Sequence, residues 1–116
     1  MADNETKTGT ADLDKSEEAI ERAKKKIVDA KYWMLTNPRA WRYMADTAMH
    51  QAAEGKKVSG RQLVENVRKR DFTDTCGAPT KVNNDYAAIF ARLLVAEHPQ
   101  LAKHIEFRRT VLDEIM

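Results

Sequence analysis

The sequence predicts a mainly α-helical domain of four to six helices with one short β-hairpin or extended loop near residues 72–82. Three observations lead there. Apolar residues recur at helical spacing through most of the chain, helix starts and stops punctuate it at Asn37-Pro38, Gly55, Ser59 and His98-Pro99, and only Phe72 to Val82 combines β-branched and turn residues. At 116 residues the chain fits one domain able to bury its own core.

Met1 to Asp12 is small and polar, with Thr6, Thr8, Gly9 and Thr10 and almost no apolar anchor. Such a stretch reads as a disordered N-terminal tail over residues 1–12, leaving residues 13–116 as the helical domain. A first helix follows, since Leu13, Ile20, Ile27 and Met34 recur every seven residues with Ala23 and Ala30 between them, and Asp14 with Glu17 stands where a cap is wanted. That seam has two readings: packing on the rest of the domain, or pairing with a second copy or another protein.

Asn37 as cap and Pro38 as first helical residue start a second helix, which runs to Glu54 and stops at Gly55. Trp41, Met44, Ala45, Ala48 and Ala52 share one of its faces. Ser59 and Gln62 have capping-box spacing, flanked by Val58 and Leu63 as a hydrophobic staple, so a third helix extends from about Gly60 to Arg70 with Leu63, Val64 and Val67 inward. A hairpin turning near Cys76-Gly77 comes next, restricted by Pro79 to an edge or irregular pairing. Asn83 or Asn84 then caps a fourth helix through about Glu97, whose Tyr86, Ala87, Phe90, Leu93 and Leu94 form the most apolar face of the chain. Pro99 ends it, and Leu101, Ile105, Val111, Leu112 and Ile115 support one further helix or two short ones.

The net charge of +2 conceals a local concentration. Between Lys56 and Asp71 six cations face two anions, the kind of footprint that a phosphate backbone attracts. In element order, Pro38 to Val82 resembles a winged helix-turn-helix: two helices, a short basic helix and a hairpin. The resemblance implies duplex DNA as the partner, with the third helix in the major groove. On that reading Ser59, Arg61, Gln62, Asn66 and Lys69 lie near the groove and Lys56, Lys57 and Lys81 hold phosphates from the flanks. The departures are a turn about two residues too long, no strand before the second helix, and a substantial helix after the proposed wing. The same cations also have a plainer role, because Arg68, Lys69 and Arg70 complement the negative end of the helix dipole.

The second functional class is a protein-interaction or assembly module, resting on the Leu13, Ile20, Ile27 and Met34 seam as a homodimer interface and on Trp33, Trp41 and the methionines as adaptable surface. Catalysis has the least support. One Cys and three His lack the paired spacing of a zinc site, Asp71-x-x-Asp74 lacks the oxygen ligands of a calcium loop, and there is no phosphate-cradling glycine loop. The chain is therefore read as a non-enzyme without metal or cofactor. The lone Cys76 and the lack of a secretory-type apolar run place it in a reducing, cytoplasmic compartment, and its apolar stretches are too short to make a membrane a partner.

Overall fold

The computed structural model describes residues 2–107, 110 and 112–116, with side chains from residue 17 onward except at 114. Five helices carry it: α1 (Ala2–Thr36), α2 (Pro38–Ala53), α3 (Gly60–Arg68), α4 (Ala87–Glu97) and the single turn α5 (Leu112–Ile115). Single 3-10 stretches precede and follow α4, at Asn84–Tyr86 and Pro99–Lys103. No strand occurs among the described residues.

The helical backbone starts at Ala2, inside the stretch whose composition reads as a disordered tail. Propagation explains it. Adding residues to an existing helix avoids the unfavourable nucleation step, and no proline interrupts residues 2–36. Of the seven-residue seam, Ile27 and Met34 pack against the core beside buried Ala23, Ala30 and Trp33, and Ile20 is half-buried. Leu13 and the Asp14 cap lie outside the described side chains.

Phe90 is the hub of the core. It is fully buried on α4, with Trp33 of α1 at 5.1 Å, Trp41 of α2 at 5.4 Å and Tyr86 at 5.8 Å between ring centroids. The rings meet tilted or edge-on, as their quadrupoles favour. Small residues on α2, Ala40, Ala45 and Ala48, are buried beside Met44, while α3 buries Leu63, Val64 and Val67. α3 and α4 approach closely at Gly60, where an added Cβ would stand 2.5 Å from the Ala87 carbonyl oxygen. The Glu54–Ser59 connection is tied down by Val58, whose N–H donates to the His104 carbonyl at 2.8 Å.

Two caps differ from expectation. The Ser59 hydroxyl accepts from the Gln62 N–H at 3.2 Å, but the Gln62 amide donates to Asn66 Oδ1 instead of returning to the cap. Asn37 makes no side-chain cap. It is buried, and its amide donates to the Trp33 carbonyl and the Thr36 hydroxyl, while its Oδ1 accepts from the Thr80 hydroxyl at 2.8 Å. A buried amide is satisfied by whatever surrounds it, and here the last turn of α1 is nearer than the first turn of α2.

The hairpin over 72–82 is a loop closed by one antiparallel bridge, Thr73 to Pro79. Its turn is at Gly77, which takes φ +83, and the Asp74 carboxylate accepts from the Cys76 and Ala78 N–H groups at 2.9 Å each. Pro79 has no N–H with which to extend a ladder. Across the loop Asp74 N–H donates to the Ala78 carbonyl and Thr80 N–H to the Phe72 carbonyl, each at 2.8 Å, and two further bonds tie the loop to the α1–α2 corner: Thr75 N–H donates to the Thr36 carbonyl at 2.9 Å, and Trp33 Nε1 donates to the Lys81 carbonyl at 2.7 Å. A segment so anchored lies on the domain and does not project as a wing.

Phe90→Ala is expected to cost about 3–5 kcal/mol by removing the hub. Gly60→Ala, by forcing α3 off α4, is expected to cost about 1–3 kcal/mol. Urea unfolding followed by tryptophan fluorescence measures both; an unchanged midpoint in either variant contradicts the packing described.

Candidate nucleic-acid interface on the third helix

Leu63, Val64 and Val67 anchor one side of α3, so the helical period turns Arg61, Gln62, Arg68 and the following Lys69 to solvent, with Glu65 and Asn66 half-buried at the edges. The residues expected to bind nucleic acid are not equivalent. Arg61 and Lys69 are exposed at opposite ends of the helix and have no ion pair among the described residues. Lys56 pairs with Glu54 at 3.6 Å, and Lys57 pairs with Glu106 at 3.0 Å. Both pairs are solvent-exposed and therefore weak, on the order of 0–1 kcal/mol, so a phosphate can displace the carboxylate at small cost.

Gln62 and Asn66 hold each other at 3.0 Å, which presents two amides as one unit on the outer face. Ser59 is engaged in the cap. Lys57, Ser59 and Arg61 line a cavity of about 550 Å³ whose floor is Gly60, Ala87, Ala88 and Ala91. Lys81 is not part of this group: it is exposed beside α1, lining a separate cleft of about 500 Å³ with Asp29, Tyr32, Trp33 and Tyr86.

Sequence reasoning missed two arginines, Arg39 and Arg42, and the contact made by a third, Arg70, which it counted only in the basic cluster. Arg70 lies 4.6 Å over the Tyr43 ring, a cation–π contact that carries the C-terminal end of the α3 region onto α2. Tyr43 in turn packs on Phe72 at 5.3 Å. Arg39, one turn before Tyr43, and Arg42 are exposed on α2, and Arg39 lines a cleft with Thr73, Asp74 and Thr75. Their three-residue spacing on the face opposite Ala40 and Met44 was a readable signal, because that face of an amphipathic helix is the solvent face. Positive charge thus continues from Lys69 and Arg70 to α2, interrupted by exposed Asp46 and Asp71.

Among the described residues no group of three or more His, Cys, Asp or Glu side chains comes together as metal ligands, and no helix is long and apolar enough to cross a membrane. His50 pairs with Glu54 at 3.3 Å, and Cys76 is exposed on its loop. The displaced titration lies at Tyr86, whose hydroxyl is raised above 10.0 by partial burial, then by the negative charge of Asp29 and Asp85.

No protein-family model matches the chain, and no curated protein or solved structure resembles it significantly. The functional reading therefore rests on the residues themselves.

Tyr86 makes stability pH-dependent on the alkaline side. Above pH 10.0 the unfolded chain releases this proton while the folded chain retains it; the unfolded state then binds fewer protons, so stability is complete below that pH and falls as pH rises through the folded value. Urea midpoints taken on either side of pH 10.0 are expected to show a shallower alkaline loss in Tyr86→Phe than in the parent chain; parallel profiles would contradict the assignment.

Proposed function

We propose that this protein is a non-catalytic DNA-binding protein that holds duplex DNA through the outer face of α3 and its basic flanks. The observation that carries the reading is the exposure of Arg61 and Lys69, without a carboxylate partner among the described residues, on a helix anchored by its opposite face. Lys69 stands eight positions after Arg61, about 12 Å along a helix axis, comparable to the width of a major groove. Arg61 and Lys69 supply phosphate contacts at the two ends, with Lys56, Lys57, Arg70, Arg39 and Arg42 as further cations around them. The linked amides of Gln62 and Asn66 occupy the middle, where adenine edges would be read. In this reading loop 72–80 acts as a brace for Arg70 and not as a wing, and the exposed Cys76 thiol fits a reducing, cytoplasmic setting.

An assembly role is the second reading. It is favoured by Val28, Tyr32 and Leu35, which are large, apolar and exposed on α1.

Fluorescence anisotropy with random-sequence duplex DNA tests the first reading. Affinity is expected to fall steeply with salt, and Arg61→Ala combined with Lys69→Ala should reduce the log–log slope by about 2, one unit per lost phosphate contact. An absence of binding at low salt, or binding that ignores salt, would remove the proposal.

A further inference from the structure

The cleft between α1 and residues 81–86 has a volume of about 500 Å³ and shares no lining residue with the cavity at the start of α3. Small-molecule sites are of this size. Its walls are aromatic. Trp33 is buried with its indole N–H spent on the Lys81 carbonyl at 2.7 Å, whereas Tyr32 is 67% exposed and leaves its ring uncovered. Among the described residues no ring contact joins Tyr32 to Tyr86, which lines the same cleft.

The polar groups of this cleft are uncommitted. Asp29 and Lys81 are exposed and opposite in charge, yet among the described residues neither side chain has an ion pair or a hydrogen bond, with the other or with a third group. Asp85 differs, because Lys26 already pairs with it at 3.6 Å. The Tyr86 hydroxyl lies within the influence of Asp29: partial burial, then the charges of Asp29 and Asp85, keep the phenol protonated beyond its ordinary range. A protonated phenol is a hydrogen-bond donor. Asp29 stands one turn before Trp33 in α1, about 6 Å along the axis, and Lys81 is tied to Trp33 through its carbonyl. Carboxylate and ammonium thus belong to different parts of one aromatic surface.

These groups define a ligand by complement. A simple cation would meet Lys81 and a simple anion would meet Asp29, so the occupant carries hydrogen-bond donors at one end and negative charge at the other. A flat base between them would stack on the open tyrosine ring. Beside a carboxylate acceptor and a phenol donor, the matching edge has two adjacent N–H donors next to a carbonyl. Guanine has that edge in N1–H, the N2 amine and O6. Adenine presents the lone pair of N1 to the carboxylate, thymine has one N–H between two carbonyls, and cytosine sets a single amine beside an acceptor. Each of these leaves Asp29 facing a lone pair, which costs affinity. A phosphate at the far end suits the point charge of a lysine.

We infer that the cleft between α1 and residues 81–86 binds a guanine nucleotide, with Tyr32 stacked on the base, Asp29 accepting from N1–H and the N2 amine, Tyr86 donating to O6, and Lys81 holding the phosphate. The site does not depend on duplex binding by α3.

Isothermal titration calorimetry of the full chain with guanosine 5′-monophosphate is expected to show saturable binding, about tenfold or more tighter than with adenosine 5′-monophosphate or with guanosine lacking the phosphate. Asp29→Asn should remove the preference for guanine over adenine. Lys81→Ala should lower the nucleotide to the affinity of guanosine and leave the base preference in place. Both side chains are exposed, so unchanged urea midpoints are expected and separate loss of the site from loss of the fold. Arg61→Ala combined with Lys69→Ala should leave nucleotide binding as it is, whatever happens to duplex DNA. Competition by a 5′-phosphorylated single strand beginning with guanine distinguishes the two sources of this chemistry, since it displaces the mononucleotide only where a strand end is accepted. An absence of saturable binding, equal affinity for the guanine and adenine nucleotides, or an Asp29→Asn variant that binds as the parent does would overturn the inference.

Discussion

Phe90 can be enclosed only if α1, α2 and the start of α4 converge, because the rings that surround it come from Trp33, Trp41 and Tyr86. That convergence positions the α1–α2 corner at Asn37, and the corner in turn captures the 72–82 loop through Thr36, Asn37 and Trp33. Buried aromatic area is large and its geometry selective, so a small domain can build its tertiary order around one such cluster. The side chain of Asn37 sits among these groups with its donors and its acceptor in use, at a place where an unpaired amide would be costly.

The outer face of α3 follows from the same packing. Gly60 brings the start of α3 against α4, and Leu63, Val64 and Val67 complete the contact, so the remaining positions have no alternative to solvent. Cations at both ends of this helix are then held by a rigid element while their side chains remain adjustable. Lys56 and Lys57 differ because Glu54 and Glu106 are folded close to them, one from the end of α2 and one from the C-terminal segment that pairs with Val58. Charge that looks continuous in the sequence is therefore graded on the surface.

Much of the helical framework was legible in the residues. Pro38, Gly55, Ser59 and Pro99 mark boundaries close to those observed, since each acts through its own backbone conformation or its immediate neighbours. The site was legible in part: Arg61 and Lys69 stand exposed as expected, whereas Lys81 belongs to another cleft, Arg39 and Arg42 were overlooked, and the contact of Arg70 with Tyr43 was not foreseen. Arg70 is brought to α2 by Tyr43, 27 positions earlier in the chain, a contact that no local pattern encodes. Of the two forms open to residues 72–82, no strand is present: pairing across the loop stops at the Thr73–Pro79 bridge, and Thr75 N–H and the Thr80 hydroxyl are taken up by Thr36 and Asn37 at the α1–α2 corner.

The amino-acid order alone determined where helices begin and end and which side of each is apolar, because those properties depend on residues within a turn or two of one another. Tertiary structure alone decided which apolar stripe of α1 is inward, which lysines have carboxylate neighbours, and where the 72–82 loop spends its hydrogen bonds. All three depend on groups far apart in the chain, brought together when Phe90 is enclosed.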